Sequence, residues 1–221
     1  MKIKNLLLGV ALMAGMSLTS CSGGDDPTPT FVDFVTLDSF SPSGATMSFR
    51  EKGDSPLITL TTTQALPADK FKAGTRIVIS YASDNNLQYV SGPIMLYQAA
   101  NTEGEGKPAL IETAEANDNW ATESISMRSL NRSGEYLDFV FIGTTSQNGK
   151  TLKLVLDAAT ANSEMPEYHL IYKSDTSGTV NNYVYYCSYS IADSWLSPTA
   201  KGVRVYFKDT VGGDKYVDLL K

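Results

Sequence analysis

Cysteine and histidine are almost missing from this 221-residue chain, which holds two cysteines and one histidine. With only Cys21, Cys187 and His169 available, no His/Cys set for a zinc-type centre can be assembled. No Asp-x-Asp-x-Asp-Gly loop is present for calcium; the nearest acidic cluster is Asp25-Asp26. The chain also lacks a Gly-x-Ser-x-Gly elbow, a Walker loop and a Gly-x-Gly-x-x-Gly turn before a helix. These gaps remove the usual serine-hydrolase and nucleotide-binding readings, and no cofactor is expected. Lysine and arginine number 18 against 24 acids, and no basic run occurs, which argues against a nucleic-acid partner. Nor does any apolar run approach the ~20 residues of a spanning helix.

The N-terminus is where a positive signal begins. Lys2 and Lys4 precede an apolar run from Leu6 to Met16, and small residues follow, the order of an export signal. Leu18-Thr19-Ser20-Cys21 resembles the lipobox of bacterial lipoproteins, in which cleavage falls before the cysteine and its thiol is acylated. Residues 1–20 are then a signal peptide and residues 21–30 a lipidated tether. Removing Lys2 and Lys4 with the signal shifts the formal charge from −6 to −8. Two or more acyl chains hold a protein stably in a bilayer, at ~0.8 kcal/mol per buried methylene. Ser22 is not the aspartate of an inner-membrane retention signal, so the expected address is the outer membrane of a Gram-negative bacterium. Asp25-Asp26 resembles a surface-export signal, or is simply a soluble linker, so both the cell surface and the periplasmic face stay open. Ten tether residues reach at most ~35 Å.

Beyond the tether the pattern is all-β. Short runs rich in Val, Ile, Thr, Tyr and Phe alternate with Gly, Asn, Asp, Ser and Pro clusters, without a long 3.6-residue period. Five strands are expected in the first half: Phe31 to Leu37, Ala45 to Arg50, Leu57 to Thr62, Thr75 to Tyr81, and Gln88 to Tyr97 broken by Pro93. Polar stretches at 101–108 and 114–119 suggest a division into domains 31–114 and 115–221. In the second half Leu137, Phe139 and Phe141 share a face, as do Leu152, Leu154 and Leu156, then Leu170 and Tyr172, Cys187, Tyr189 and Ile191, and Val203, Val205 and Phe207. One apolar face per strand, with turns at Asn148-Gly149 and Gly212-Gly213, describes an antiparallel β-sandwich.

Several segments resemble the NigD-like bacterial lipoproteins: Ile58-Thr59-Leu60, Ala65-Leu66-Pro67-Ala68 and Gly74 to Tyr81, then Ser124 to Met127 and Gly134 to Phe139, then Cys187 to Ile191 and Val203 to Phe207. The resemblance implies an OB-like five-stranded barrel followed by a β-sandwich, and no established activity. Where that family often has an Arg-His-Asn-like run, this chain reads Lys173-Ser174-Asp175, so no role for that histidine carries over.

Chemistry is scarce. A Cys187–His169 dyad would need both side chains on one sheet face, whereas alternation puts Cys187 inward and His169 outward. Glu112, Glu115, Asp118, Glu123, Asp138 and Asp157 could supply a carboxylate pair for a glycan hydrolase, but no spacing selects two of them. The twelve tyrosines are the richer signal. Tyr183, Tyr185, Tyr186 and Tyr189 crowd one strand region, Trp120 sits at the division, and Trp195 and Tyr206 follow. Tyrosine and tryptophan offer apolar faces with polar tips for a protein or glycan, or they simply pack a β core. The expected binding surface comprises Trp195, Tyr183 and Tyr206, with packing at the end of the core as the other reading of Trp195. The resulting expectation is a non-catalytic envelope lipoprotein binding a protein or glycan; the alternative is a carboxylate-dependent glycan hydrolase.

Overall fold

β-Branched and aromatic residues at alternate positions set the strands, and the faces they create decide how the strands close. The computed structural model describes residues 29–111, 122–145, 149–174 and 179–221. Cys21, Glu112, Glu115, Asp118 and Trp120 lie outside the described residues. The chain divides into two units, one holding Pro56–Asn101 and the residues before Lys52, the other Lys52–Ser55 and Thr102–Lys221.

The first unit is a closed barrel of β1 (Phe31–Ser41), β2 (Gly44–Phe49), β3 (Ile58–Thr62), β4 (Arg76–Ser83) and β5 (Gly92–Asn101). Its order is β1-β2-β3-β5-β4, with β4 returning antiparallel to β1 and β3 lying parallel to β5. That five-stranded closure is the OB-like barrel the family resemblance implies. Alternation fills it: Val35, Leu37, Met47, Leu60, Ile77, Ile79 and Tyr81 form its core. Each such burial is worth ~1.5–3 kcal/mol. Register shifts in β1 between Leu37 and Ser39 and in the β4–β5 pairing between Ser80 and Tyr81 provide the bends that closure needs. Pro93 does not break a strand as expected. It is the second residue of β5, the position where a missing N–H costs least.

The second unit contains β6 (Gly104–Gly106), β7 (Ala109–Ile111), β8 (Ser126–Ser133), β9 (Tyr136–Thr145), β10 (Lys150–Asp157), β11 (Glu167–Ser174), β12 (Asn181–Ser190), the single turn α1 (Ala192–Trp195), β13 (Gly202–Asp209) and β14 (Gly213–Leu220). A five-stranded sheet runs β14-β13-β11-β10-β7, and a four-stranded sheet runs β6-β12-β9-β8. Phe139, Phe141, Cys187 and Tyr189 from the smaller sheet join Leu154, Leu170, Val203 and Val205 from the larger in one core, so the sheets pack face to face. Most pairings are antiparallel; β6 with β12, β7 with β10, and β11 with β13 are parallel. Leu156, expected inside, is only partly buried at the core's margin.

The division expected near residue 114 falls instead between Asn101 and Thr102. The polar segment at 101–108 supplies β6, in which Gly104 lets the strand lie close to β12. A Cβ on Gly104 would collide with the Tyr189 hydroxyl.

Candidate ligand surface

Strand alternation gives the five-stranded sheet an outer face, and register sorts that face into rows. On β11, Tyr168, Leu170 and Tyr172 point into the core, which turns Glu167 and His169 outward. On β13, Val203, Val205 and Phe207 point in and Arg204 and Tyr206 out. On β14, Val217 and Leu219 lean on the core while Tyr216 and Asp218 face solvent. His169 is paired with Tyr206, and Tyr206 with Tyr216, so three rings form one row across three strands. The His169 and Tyr206 rings stack at 4.7 Å and 11°; those of Tyr206 and Tyr216 lie 5.7 Å apart and tilted by 53°.

The neighbouring row is ionic. Glu167 pairs with Arg204 and Arg204 with Asp218. Arg204 Nε donates to Asp218 Oδ1 at 2.7 Å and Nη2 to Oδ2 at 2.8 Å, while Glu167 Oε1 lies 3.9 Å from Nη1. This two-pronged bond fixes the guanidinium plane, and the same group lies 4.4 Å over the Tyr216 ring. Tyr216 is thereby held from beneath while 57% of it is exposed. The hydrogen bond from Arg204 holds the Asp218 carboxyl below its ordinary range, and Asp218 in turn raises the guanidinium. Burial lowers the His169 pKa, with Asp157 pulling against that shift. The row is an imidazole and two phenol rings beside an ion-paired strip.

The expected surface residues separate. Tyr206 belongs to the row, while Tyr183 is half-buried and leans on the sandwich core. Trp195 is a correction: only 5% of it is exposed, and it packs in the core. Its indole is covered by the Arg132 guanidinium at 3.9 Å, so no face remains for stacking. Arg132 is itself held by Asp54, through Nη1 to Oδ1 and Nη2 to Oδ2, both 2.9 Å, and by the Gly134 carbonyl at 2.6 Å. Two of the four crowded tyrosines, Tyr185 and Tyr189, are core residues, as are Tyr81, Tyr168 and Tyr172 elsewhere. The Tyr168 hydroxyl donates to Ser194 Oγ at 2.7 Å, and burial pushes its pKa up to about 12.

Tyr216, the third ring of the row, is not among the expected surface residues, although the hairpin pattern carries it. Tyr206 and Tyr216 sit symmetrically about Val211 in a hairpin turning at Gly212-Gly213, which makes them cross-strand neighbours.

Among the described residues the catalytic candidates do not converge. Cys187 is fully buried, and burial raises its thiol pKa well above the ordinary value, the reverse of a nucleophile. Asp138 lies on β9 and Asp157 on β10, in opposite sheets of the sandwich and both buried. Asp138 accepts from Ser188 Oγ at 2.5 Å, and Asp157 Oδ1 from the Ala159 N–H at 2.9 Å. Glu123 accepts from Ser174 Oγ at 2.8 Å. Among the described residues no cluster of three or more His, Cys, Asp or Glu side chains could hold a metal.

No family profile matches the chain, and no curated protein matches it in sequence. Solved structures do match. A protein of unknown function, DUF1344, from Bacteroides vulgatus aligns over 87% of this chain and 91% of its own, with TM-score 0.65 and 16% identity. A protein described as toxin-related from Parabacteroides distasonis covers 87% and 93%, with TM-score 0.58 and 13% identity. A NigD-like immunity protein from Bacteroides caccae covers 85% and 91%, with TM-score 0.55 and 12% identity. None of the three is described as an enzyme. Barrel, sandwich and the order of the two along the chain thus give this protein the NigD-like fold.

Proposed function

We propose that the chain is a non-catalytic, lipid-anchored binding protein of a Gram-negative outer membrane, which captures a protein partner on the Tyr206–Tyr216 row. The observation that carries this reading is the exposed Tyr216 ring, braced by Arg204 and flanked by Tyr206. Tyrosine and arginine are the residues most enriched at binding hot spots, and a pre-fixed ring loses little entropy on contact. Among the described residues the adjoining β14 is the edge strand of its sheet, the position at which a partner strand could add. The fold shared with an immunity protein supports a protein as the partner. The lipobox resemblance at Cys21 supports the anchor and the envelope address.

The test is Tyr216→Ala in a pull-down from envelope extract followed by titration against the purified partner. Because the ring is exposed, the melting temperature should hold, while affinity falls at least ~30-fold, the equivalent of ~2 kcal/mol at a hot spot. Unchanged affinity would remove the row from the interface. A second reading, a glycan stacked on Tyr216, is favoured by the exposed face of that ring. Glycan-array binding lost in Tyr216→Ala would select it, and turnover of a glycan by the purified protein would overturn binding as the activity.

A further inference from the structure

The barrel carries a second exposed surface, and its character inverts the usual composition of a loop. Residues 84–91 connect β4 to β5, and side-chain hydrogen bonds pin the loop to the barrel. Ser83 Oγ donates to the Leu87 carbonyl at 2.7 Å, and Asn85 Oδ1 accepts from the Leu87 N–H at 3.1 Å. Gln88 Nε2 donates to both oxygens of Asp33 on β1, at 3.2 and 3.1 Å, and Ser91 Oγ accepts from the Thr59 N–H at 2.9 Å. The apolar side chains are turned out instead: Leu87, Tyr89 and Val90 are 56%, 39% and 40% exposed. Leu57, at the entrance of β3, and Met95, on the outer face of β5, extend the set at 55% and 58%. Tyr89 holds a left-handed φ of 63°, unusual for an aromatic residue, with its ring 6.2 Å from Phe49. A pinned loop that displays hydrophobic residues is a built surface.

Topology says where this surface lies. Phe31 is paired with Tyr81, and Ser83 with Ile94, so the start of β1, the end of β4 and the start of β5 share one end of the barrel. The apolar loop is at that end. So is the point where the tether from Cys21 enters, only ten residues from the anchor and thus within at most ~36 Å of the lipid. A tether that short keeps its own barrel end at high effective concentration next to the bilayer, where even weak apolar contact is occupied.

We propose that this barrel end, with Leu87, Tyr89 and Val90 at its centre, rests on the lipid bilayer. The inference assumes the anchor at Cys21. Aliphatic side chains enter the headgroup boundary and tyrosine settles at its level. Asp84 in the loop and Glu51 after β2, with Arg50 beside it, leave the contact without a basic patch, so a zwitterionic surface fits it.

The full chain is exported, purified with its anchor and reconstituted into vesicles of phosphatidylethanolamine and phosphatidylcholine. An environment-sensitive fluorophore is placed at Leu87→Cys, at Val90→Cys and, at the opposite barrel end, at Ser43→Cys. Acylation blocks Cys21 and burial shields Cys187, so the new thiol alone takes the label. Labels at 87 and 90 should shift to the blue and brighten severalfold on reconstitution while the label at 43 does not. Adding Leu57→Asp and Met95→Asp to the Val90→Cys chain should return its label to the aqueous value. No shift at 87 or 90, equal shifts at all three positions, or a shift already present before vesicles and lost on dilution overturns the docking; the last result indicates a second copy of the chain instead. Mass analysis of the mature N-terminal peptide separates the two readings. Acylated Cys21 without a shift defeats only the docking, a shift without acylation defeats only the anchor, and neither shift nor acylation defeats both.

Discussion

His169, the one histidine, sits with its ring flat against Tyr206 and its pKa lowered by burial. The unfolded chain takes up this proton near the ordinary value of 6.5, the folded chain only at lower pH. Between those values the unfolded state binds more protons, so acidification destabilises the fold across that window, and raising the pH restores it. His169→Phe, which keeps the stack and removes the titration, should flatten the urea-midpoint profile on the acid side of pH 6.5. An unaltered profile would mean that carboxylates alone account for the slope. Trp195 makes the opposite kind of prediction. Its indole fills the core beneath Arg132, so Trp195→Ala should cost about 3–5 kcal/mol in denaturant unfolding. Binding at Tyr216 should survive in whatever fraction stays folded. A neutral effect on stability would put Trp195 back on the surface.

Strands pack here because small residues stand where aromatic rings need room. On β9, a Cβ at Gly143 would lie 2.6 Å from the Tyr172 ring, whose hydroxyl donates to the Thr144 carbonyl at 2.9 Å. Gly143→Ala therefore has to push that ring aside and break its bond, at ~1–3 kcal/mol measured by chemical denaturation. Replacement without loss would show that β11 can shift to take up the methyl group. The β13–β14 hairpin is fixed in the same local manner. Its turn sets the register, the register sets Tyr206 opposite Tyr216, and the aromatic row follows.

For the molecule as a whole, the proposed anchor at Cys21 is what would set the location. Cys21→Ala should leave the signal uncleaved or wrongly cleaved and the protein unlabelled by a fatty-acid probe. Normal labelling and membrane fractionation of that variant would sink the anchor. The two units differ in what they offer: the barrel displays an apolar loop, while the sandwich displays a braced aromatic row beside an ion-paired strip.

The chain's local patterns were enough for the all-β class, the five barrel strands and the inward faces of Phe139, Leu154 and Val203, because period-2 alternation is a property of neighbouring residues. They also placed Cys187 inward and His169 outward. Pairing between distant segments was beyond them. That β6 would join β12 across more than seventy residues, and so move the division between units to Asn101, depends on which edge was left open once β9 and β12 had paired. The fate of Trp195 depended on Arg132 and Asp54 arriving from elsewhere in the chain to close over it. Alternation assigns a residue to a face; only the packed structure determines whether that face meets water, a core or a neighbouring ring.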